Sequence, residues 1–225
     1  SCKWEALFIL VIKTLERIKS LPRQTVESLT DALGLIIQIE DVAVLLEWCR
    51  WVRHEAMRIR TGEALEIVRK TYFLGAKHNF DDFMIAMEWR RAPNARFWLP
   101  RRKVLEGKHK IATQIQEFMD SKDGLYLGFS MPPGTGKSTL IKFLLAYIIG
   151  KHPQSANMYV SYSDGMIKLM LDAVKSMLTD TDEYCFHEIF PGLGAPDISA
   201  EYKTISYRRK GDFPSLGLAS LGGSV

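Results

Sequence analysis

The sequence predicts an α/β fold, in which a parallel sheet flanked by helices follows an all-helical N-terminal region. Three observations support this class. Up to about residue 91, apolar residues recur at helical spacing. A short apolar run, a glycine-rich turn and an apolar helix then follow one another over residues 125–149. Residues 157–162 form a second apolar run, and strand, helix and strand in this order form a right-handed parallel unit.

The N-terminal region is predicted to hold five helices. The first spans residues 4–18, and Pro22 ends its pattern. The others are expected at residues 25–33, from 36 or 41 to about 60, at 63–78 and at 80–91. Residues 97–103 combine apolar residues, a proline and three consecutive cations, which is typical of a junction. The predicted domains are therefore residues 1–96 and 97–225.

The glycine-rich turn, residues 131–139, is typical of a phosphate-binding loop, so the predicted sheet is that of a P-loop NTPase. Backbone N–H groups at the start of a helix attract a polyphosphate, and the helix dipole favours negative charge there. Gly134 and Gly136 let the backbone approach the oxygens. Lys137 would reach the β and γ phosphates as the catalytic cation, and the Ser138 hydroxyl would hold Mg²⁺. The remaining predicted contacts in the loop are Pro132, Pro133, Thr135 and Thr139.

The loop departs from the pattern G-x-x-x-x-G-K-[ST] at one position, because Met131 stands where the first glycine is expected. The alternative is a Gly/Pro turn that happens to precede Lys-Ser-Thr. Gln114 and Gln116 lie on a helix predicted before the loop, where a side-chain amide could read an adenine edge. Gln116 is the predicted contact, and solvated glutamines are an equally good interpretation.

The residues after the second apolar run are predicted to have structural roles, not catalytic or metal-binding ones. Ser163 and Asp164 follow that run, where a magnesium-binding carboxylate could stand, but they also suit the N-cap of a helix over residues 166–178. Residues 202–207 and 216–221 alternate as the strands of a hairpin with a basic turn. The basic turn either contacts an anion or DNA, or it is simply exposed to solvent. The last strand is expected to be an exposed edge.

Composition predicts a soluble globular protein. The net charge is +4, and residues 50–110 hold 15 Lys and Arg against 7 Asp and Glu, which makes a nucleic-acid partner plausible. Three cysteines without metal-ligand spacing indicate reduced thiols in the cytosol, and no apolar run is long enough to cross a membrane. Trp48 and Trp51 are either part of a basic binding surface or a buried aromatic face. Their basic neighbours are Arg50, Arg53, Arg58 and Arg60.

Four segments together resemble the large terminase subunit of tailed bacteriophages. They are Phe-Trp-Leu-Pro-Arg-Arg at 97–102, the loop at 131–138, Tyr-Val-Ser-Tyr-Ser at 159–163 and Phe-Pro-Gly at 190–192. The resemblance covers roughly residues 80–225 and implies an ATPase motor that drives double-stranded DNA into a capsid. It implies ATP and Mg²⁺ as cofactors, and Arg101 and Arg102 as further nucleotide contacts. The implied partners are double-stranded DNA, further copies in a ring, the portal protein and the small terminase subunit, in the host cytoplasm and without a membrane.

Two departures from that family bear on activity. Members often carry an arginine within the loop, and none stands between Met131 and Lys137. The acidic strand-end motif and the nuclease would follow residue 225. Residues 97–225 are therefore expected to be an incomplete ATPase core, which binds ATP with negligible turnover.

Two alternatives remain open. The run Pro-Pro-Gly-Thr-Gly-Lys-Ser-Thr also fits an AAA+ ATPase, which should carry four apolar residues followed by Asp-Glu further along the chain. Residues 184–194 offer only Cys-Phe-His-Glu-Ile-Phe there. The other alternative is a non-catalytic module that binds DNA or another partner and has a regulatory nucleotide site.

Overall fold

The structure, a computed structural model, describes residues 2–121, 123, 126–207 and 213–222. The chain divides into two compact units, Ser1–Ala86 and Met87–Val225, and each is described by itself. The sequence places the boundary later, after residue 96.

The first unit is built from helices, and each of the five predicted helices is present. They are α1 (Cys2–Lys19), α2 (Val26–Ile36), α3 (Val42–Ile59), α4 (Gly62–Ala76) and α5 (Phe80–Met87). Side-chain oxygens of Thr25, Asp41 and Thr61 accept hydrogen bonds from first-turn N–H groups and fix the starts of α2, α3 and α4. The last helix ends at Met87 rather than at residue 91, and the Arg96 guanidinium binds the freed carbonyl oxygens of Trp89 and Arg91.

A buried ion pair joins three helices of this unit. The Arg53 guanidinium on α3 donates to both carboxylate oxygens of Asp82 on α5, at 2.8 and 2.9 Å. Its Nε donates to the Thr71 hydroxyl on α4, and its plane lies 3.5 Å from the Tyr72 ring centroid. A Cβ at Gly75 would lie 2.1 Å from Asp82 Oδ2, so only glycine admits this carboxylate. Arg53 is therefore a core residue rather than a surface cation.

The second unit contains short helices and a small sheet. Its helices are α6 (Trp98–Leu105), α7 (Ile111–Asp120), α8 (Lys137–Lys151), α9 (Asp164–Thr179) and α10 (Phe186–Ile189), with a 3₁₀ turn at Pro93–Ala95. Its strands are β1 (Asn157–Ser161), β2 (Asp197–Ser199), β3 (Thr204–Ser206) and β4 (Leu216–Ser220). The predicted junction at residues 97–103 thus lies mostly in α6. Pro100 occupies the first turn of that helix, where its missing N–H leaves no hydrogen bond unmade.

The predicted fold class, an α/β P-loop NTPase parallel sheet flanked by helices, is wrong. Helices make up 59% of the described residues, and the sheet among them is small and mixed, with strand order β1-β4-β3-β2. Only β1 and β4 pair in parallel, while β4 pairs antiparallel with β3 and β3 antiparallel with β2. Residues 126–130, predicted as the strand before the loop, form no strand. Tyr126 is 92% exposed and Gly128 interrupts the apolar run, so no buried face holds this segment in a sheet.

The predicted hairpin is present as the antiparallel pair β3 and β4, and its basic turn, residues 208–212, lies outside the described residues. The prediction of an exposed last strand is wrong. β4 lies between β1 and β3, with Leu216 and Leu218 buried. The Asn157 side chain helps to align β1 with it by donating to the Ser215 carbonyl oxygen at 2.9 Å.

Two cysteines and the length of the helices complete the description of the fold. Cys49 and Cys185 are free thiols and buried, and burial raises the pKa of Cys49 to about 12. No helix in the described ranges has the length and apolar character needed to cross a bilayer.

Candidate functional site

The glycine-rich loop curves into the start of α8 through two left-handed residues. Gly134 has a φ of +80° and Gly136 a φ of +93°, which side-chain-bearing residues rarely adopt. The Thr135 hydroxyl donates to the Pro132 carbonyl oxygen at 2.8 Å and closes the turn. Pro132 and Pro133 are exposed beside it. The two glycines and this hydrogen bond thus shape a tight turn directly before α8.

The first turn of α8 lies next to this loop, and its N–H groups have no partner within the helix. Gly136 is the N-cap and has no side chain, so it offers these donors no acceptor of its own. Ser138 is exposed in that turn, and Thr139 is half-buried. Lys137 is exposed, and its Nζ donates to the Met131 carbonyl oxygen at 3.3 Å, across the loop. An anion at this point would meet backbone N–H groups, an ammonium group and a hydroxyl.

The Phe97 ring supports the loop. A Cβ on Gly136 would lie 2.2 Å from Phe97 Cε2, so the ring occupies the space that any larger residue would need. The same ring stacks on Phe143 of α8, with centroids 5.9 Å apart. Arg101 lies 4.9 Å from the Phe97 centroid, and its Nη1 donates to the Phe97 carbonyl oxygen. Arg102 follows on α6 and is half-buried. The structure therefore brings Arg101 close to the loop through Phe97.

A buried carboxylate holds Phe97 in place, and sequence reasoning missed it. Glu88 is 1% exposed. Its two oxygens accept from the N–H of Phe97 at 2.8 and 2.9 Å, and one of them also accepts from the N–H of Trp98 at 2.9 Å. Arg91 balances the charge at 3.1 Å. Glu88 thus caps α6, whose own N-cap residue makes no side-chain hydrogen bond. One sequence feature could have indicated this role, namely an acidic residue shortly before the break at residues 92–94 and no capping residue directly before α6.

A cleft of about 420 Å³ lies beside the loop. Leu105, Ile111 and Gln114 line it on the helical side, and Phe129, Met131 and Thr135 line it on the loop side. The lining is mostly apolar with a few polar groups, which is the usual character of a small-molecule site.

The two glutamines of α7 have different positions. Gln114, exposed on the helix, lines the cleft. Gln116, the predicted contact, is buried and does not line it. Its amide accepts from the Tyr147 hydroxyl at 3.3 Å and donates to Asp120 at 2.7 Å, so it joins α7 to α8.

Two carboxylates that follow α8 in this unit, Asp164 and Glu188, already have cationic partners. Ser163 caps α9 as predicted, by accepting from the Met166 N–H. Asp164 accepts from Lys203 Nζ at 2.8 Å and from the Ser220 hydroxyl at 2.5 Å, and these hydrogen bonds lower its pKa. Glu188 pairs with Arg90 at 2.8 Å. Within the described ranges, no three or more His, Cys, Asp or Glu side chains are grouped so as to hold a metal ion.

Comparison of the chain with protein-family models, with curated proteins and with solved structures finds no match. The functional interpretation therefore depends on the loop, the cleft and the charges of this chain.

Proposed function

We propose that this chain is the ATP-binding region of a viral DNA-packaging motor. The observation that carries the proposal is the loop at residues 131–136. Two left-handed glycines lead into the uncapped start of α8, and a cleft of about 420 Å³ adjoins them. Loop and cleft together offer a phosphate site and a base site side by side.

The phosphates would bind at the start of α8. Backbone N–H groups of the first turn point at the site, and the helix dipole favours negative charge there. Lys137 would exchange the Met131 carbonyl oxygen, its present partner at 3.3 Å, for a phosphate oxygen. This exchange favours binding, because a charge-assisted hydrogen bond is roughly twice as strong as one to a neutral acceptor. The exposed Ser138 hydroxyl would hold Mg²⁺ between the phosphates.

The base would lie in the cleft. Leu105 and Ile111 offer apolar surface to its ring, and the Gln114 amide can pair with its edge. Gln116 would act indirectly, since its hydrogen bond to Tyr147 joins α7 to the helix that carries the phosphate site.

The motor itself is proposed from the terminase resemblance. The proposed partners are double-stranded DNA, further copies of the chain in a ring, the portal protein and the small terminase subunit. The proposed location is the cytoplasm of a bacterial host. The positive excess in residues 50–110 supports the DNA partner. Binding to duplex DNA should be weak, independent of sequence and strongly reduced by salt.

We expect hydrolysis by this chain to be very slow. Hydrolysis needs a carboxylate to orient water and a cation to meet the charge that develops on the γ-phosphate. Asp164 and Glu188 are engaged by Lys203 and Arg90. The loop itself carries no arginine.

One observation favours a second candidate, a non-catalytic module with a regulatory nucleotide site. The segment that enters the loop, residues 126–130, belongs to no strand, so the sheet does not anchor the loop on that side. Phosphoryl transfer depends on precise positioning of the reacting groups, whereas binding alone does not. An AAA+ ATPase has no such observation in its favour.

Titration calorimetry of Mg-ATP binding tests the nucleotide site. Lys137→Ala should weaken binding by an order of magnitude or more, since charged hydrogen bonds are worth about 1.5–3 kcal/mol. Lys142→Ala is the matched control, because it removes a lysine from the same helix without touching the loop. Equal affinities of wild type and a folded Lys137→Ala protein would refute the site. Phosphate release at about 1 per second or faster would favour the ATPase over the regulatory module and contradict slow turnover.

A further inference from the structure

The N-terminal unit contains a second cleft, of about 730 Å³. It lies between the end of α1, residues 21–26 and the last turns of α3. Its volume falls within the range of about 300–1,000 Å³ that is usual for ligand sites. No part of the proposed ATP site lies in this unit.

The cleft has an excess of positive charge. Lys19, Arg23 and Arg58 line it together with one acid, Glu55. Glu55 already pairs with Arg58 at 3.2 Å and with His54 at 3.1 Å. Within the described residues, Lys19 and Arg23 have no acidic partner. Two cations are therefore available to an anion that enters the cleft.

An aromatic ring lies in the wall beside these cations. Trp51 is half-buried and lines the cleft. It packs edge-to-face against the buried Trp48, with centroids 5.5 Å apart and planes at 85°. Lys19 Nζ lies 5.1 Å from the centroid of that same Trp48 ring, which keeps the ammonium near the indole pair. Trp51, which packs against the buried Trp48, thus offers an ordered aromatic surface to the cleft next to the Lys19 ammonium.

We propose that this cleft binds single-stranded nucleic acid, with a base against Trp51 and phosphates at Lys19 and Arg23. Stacking on an aromatic side chain next to cations is how proteins hold unpaired bases without sequence preference. Bases in a duplex are stacked on each other, so they cannot reach a ring in the wall of a cleft. The cleft would hold an unpaired stretch of the nucleic acid, which differs from the duplex partner proposed for the motor.

Fluorescence anisotropy of a labelled oligothymidylate, measured without ATP, tests this site. The pair Lys19→Glu and Arg23→Glu should weaken binding about 10-fold or more, through lost phosphate contacts. Trp51→Ala should weaken it about 5-fold or more, and Trp51→Phe should retain most of the affinity, because a stacking face remains. The control pair is Lys13→Glu and Lys70→Glu, which makes the same charge change at exposed positions outside the cleft. At physiological salt the control should change affinity by less than about twofold.

Each alternative outcome overturns the proposal. Equal losses in the cleft pair and the control pair would show general charge attraction. Full binding by Trp51→Ala would exclude base stacking, and so would equal losses in Trp51→Ala and Trp51→Phe proteins with wild-type melting temperatures. Equal competition by duplex DNA or by thymidine monophosphate would assign the cleft to another ligand. The Lys137→Ala protein should bind the oligonucleotide with wild-type affinity, because its substitution lies at the ATP site and not at this cleft. A loss of oligonucleotide affinity in that protein would refute the proposed cleft site.

Discussion

At the scale of single residues, the glycines of the loop carry most of the local geometry. Gly134 and Gly136 both have left-handed backbones, but they differ in their surroundings. A Cβ on Gly134 would meet nothing within 4 Å, whereas one on Gly136 would collide with the Phe97 ring at 2.2 Å. The first glycine is required by conformation alone, and the second by conformation and by packing.

Three alanine substitutions separate these effects. Gly134→Ala should lower the free energy of unfolding by about 1–2 kcal/mol, the usual cost of a left-handed alanine. Gly136→Ala should cost more and should also abolish ATP binding, because Phe97 must move. Gly192→Ala is the control, since it has open space and no positive φ. Urea unfolding gives the three values. Equal stabilities of the Gly134→Ala and Gly136→Ala proteins would show that Phe97 does not rest on the loop.

At the scale of elements, two buried carboxylates replace the caps that the sequence does not supply locally. Glu88 accepts the N–H groups at the start of α6. Glu106 accepts the N–H groups of Ala112 and Thr113 at the start of α7, as well as the Thr113 hydroxyl. Both helices border the candidate cleft. These carboxylates therefore fix the wall of the cleft and, through Phe97, the loop.

Glu88→Gln tests this support. One acceptor oxygen would become an NH₂ group facing backbone N–H donors, and a buried donor left without a partner costs about 1–3 kcal/mol. The melting temperature should fall. The affinity for ATP should also fall, because Phe97, which supports the loop, would be held less firmly. Glu117→Gln is the matched control, because Glu117 is exposed on α7. A melting temperature equal to that of the control would exclude a supporting role for Glu88.

Local signals also explain which elements the sequence could predict. The helices of the first unit have apolar spacing and caps such as Thr25 and Asp41 within a few residues of their starts, so sequence reasoning found them. The turn before α8 also has a local signal, because prolines and glycines are closely spaced at residues 132–136. Glu88 was missed because its partners, Phe97 and Trp98, lie further along the chain.

At the scale of the whole molecule, the sheet shows where local reasoning fails. Strand pairing is set by partners distant in sequence, and β1 pairs with β4, the second strand of the hairpin, which follows more than 50 residues later. The unpaired segment before the loop was predicted as a strand because its apolar run is short and could suit either state. Whether such a segment becomes a strand depends on a pairing partner elsewhere in the chain, and local sequence does not identify that partner.

Amide hydrogen exchange with and without Mg-ATP tests whether the nucleotide binds at the loop and the adjacent cleft, because it shows where a bound nucleotide protects the backbone. We expect slower exchange at residues 134–140 and in the cleft segment 105–114, with no change at residues 19–26. Lys137→Ala should remove this protection. If saturating Mg-ATP left residues 134–140 unprotected, or protected only the N-terminal unit, the nucleotide would not bind at this loop.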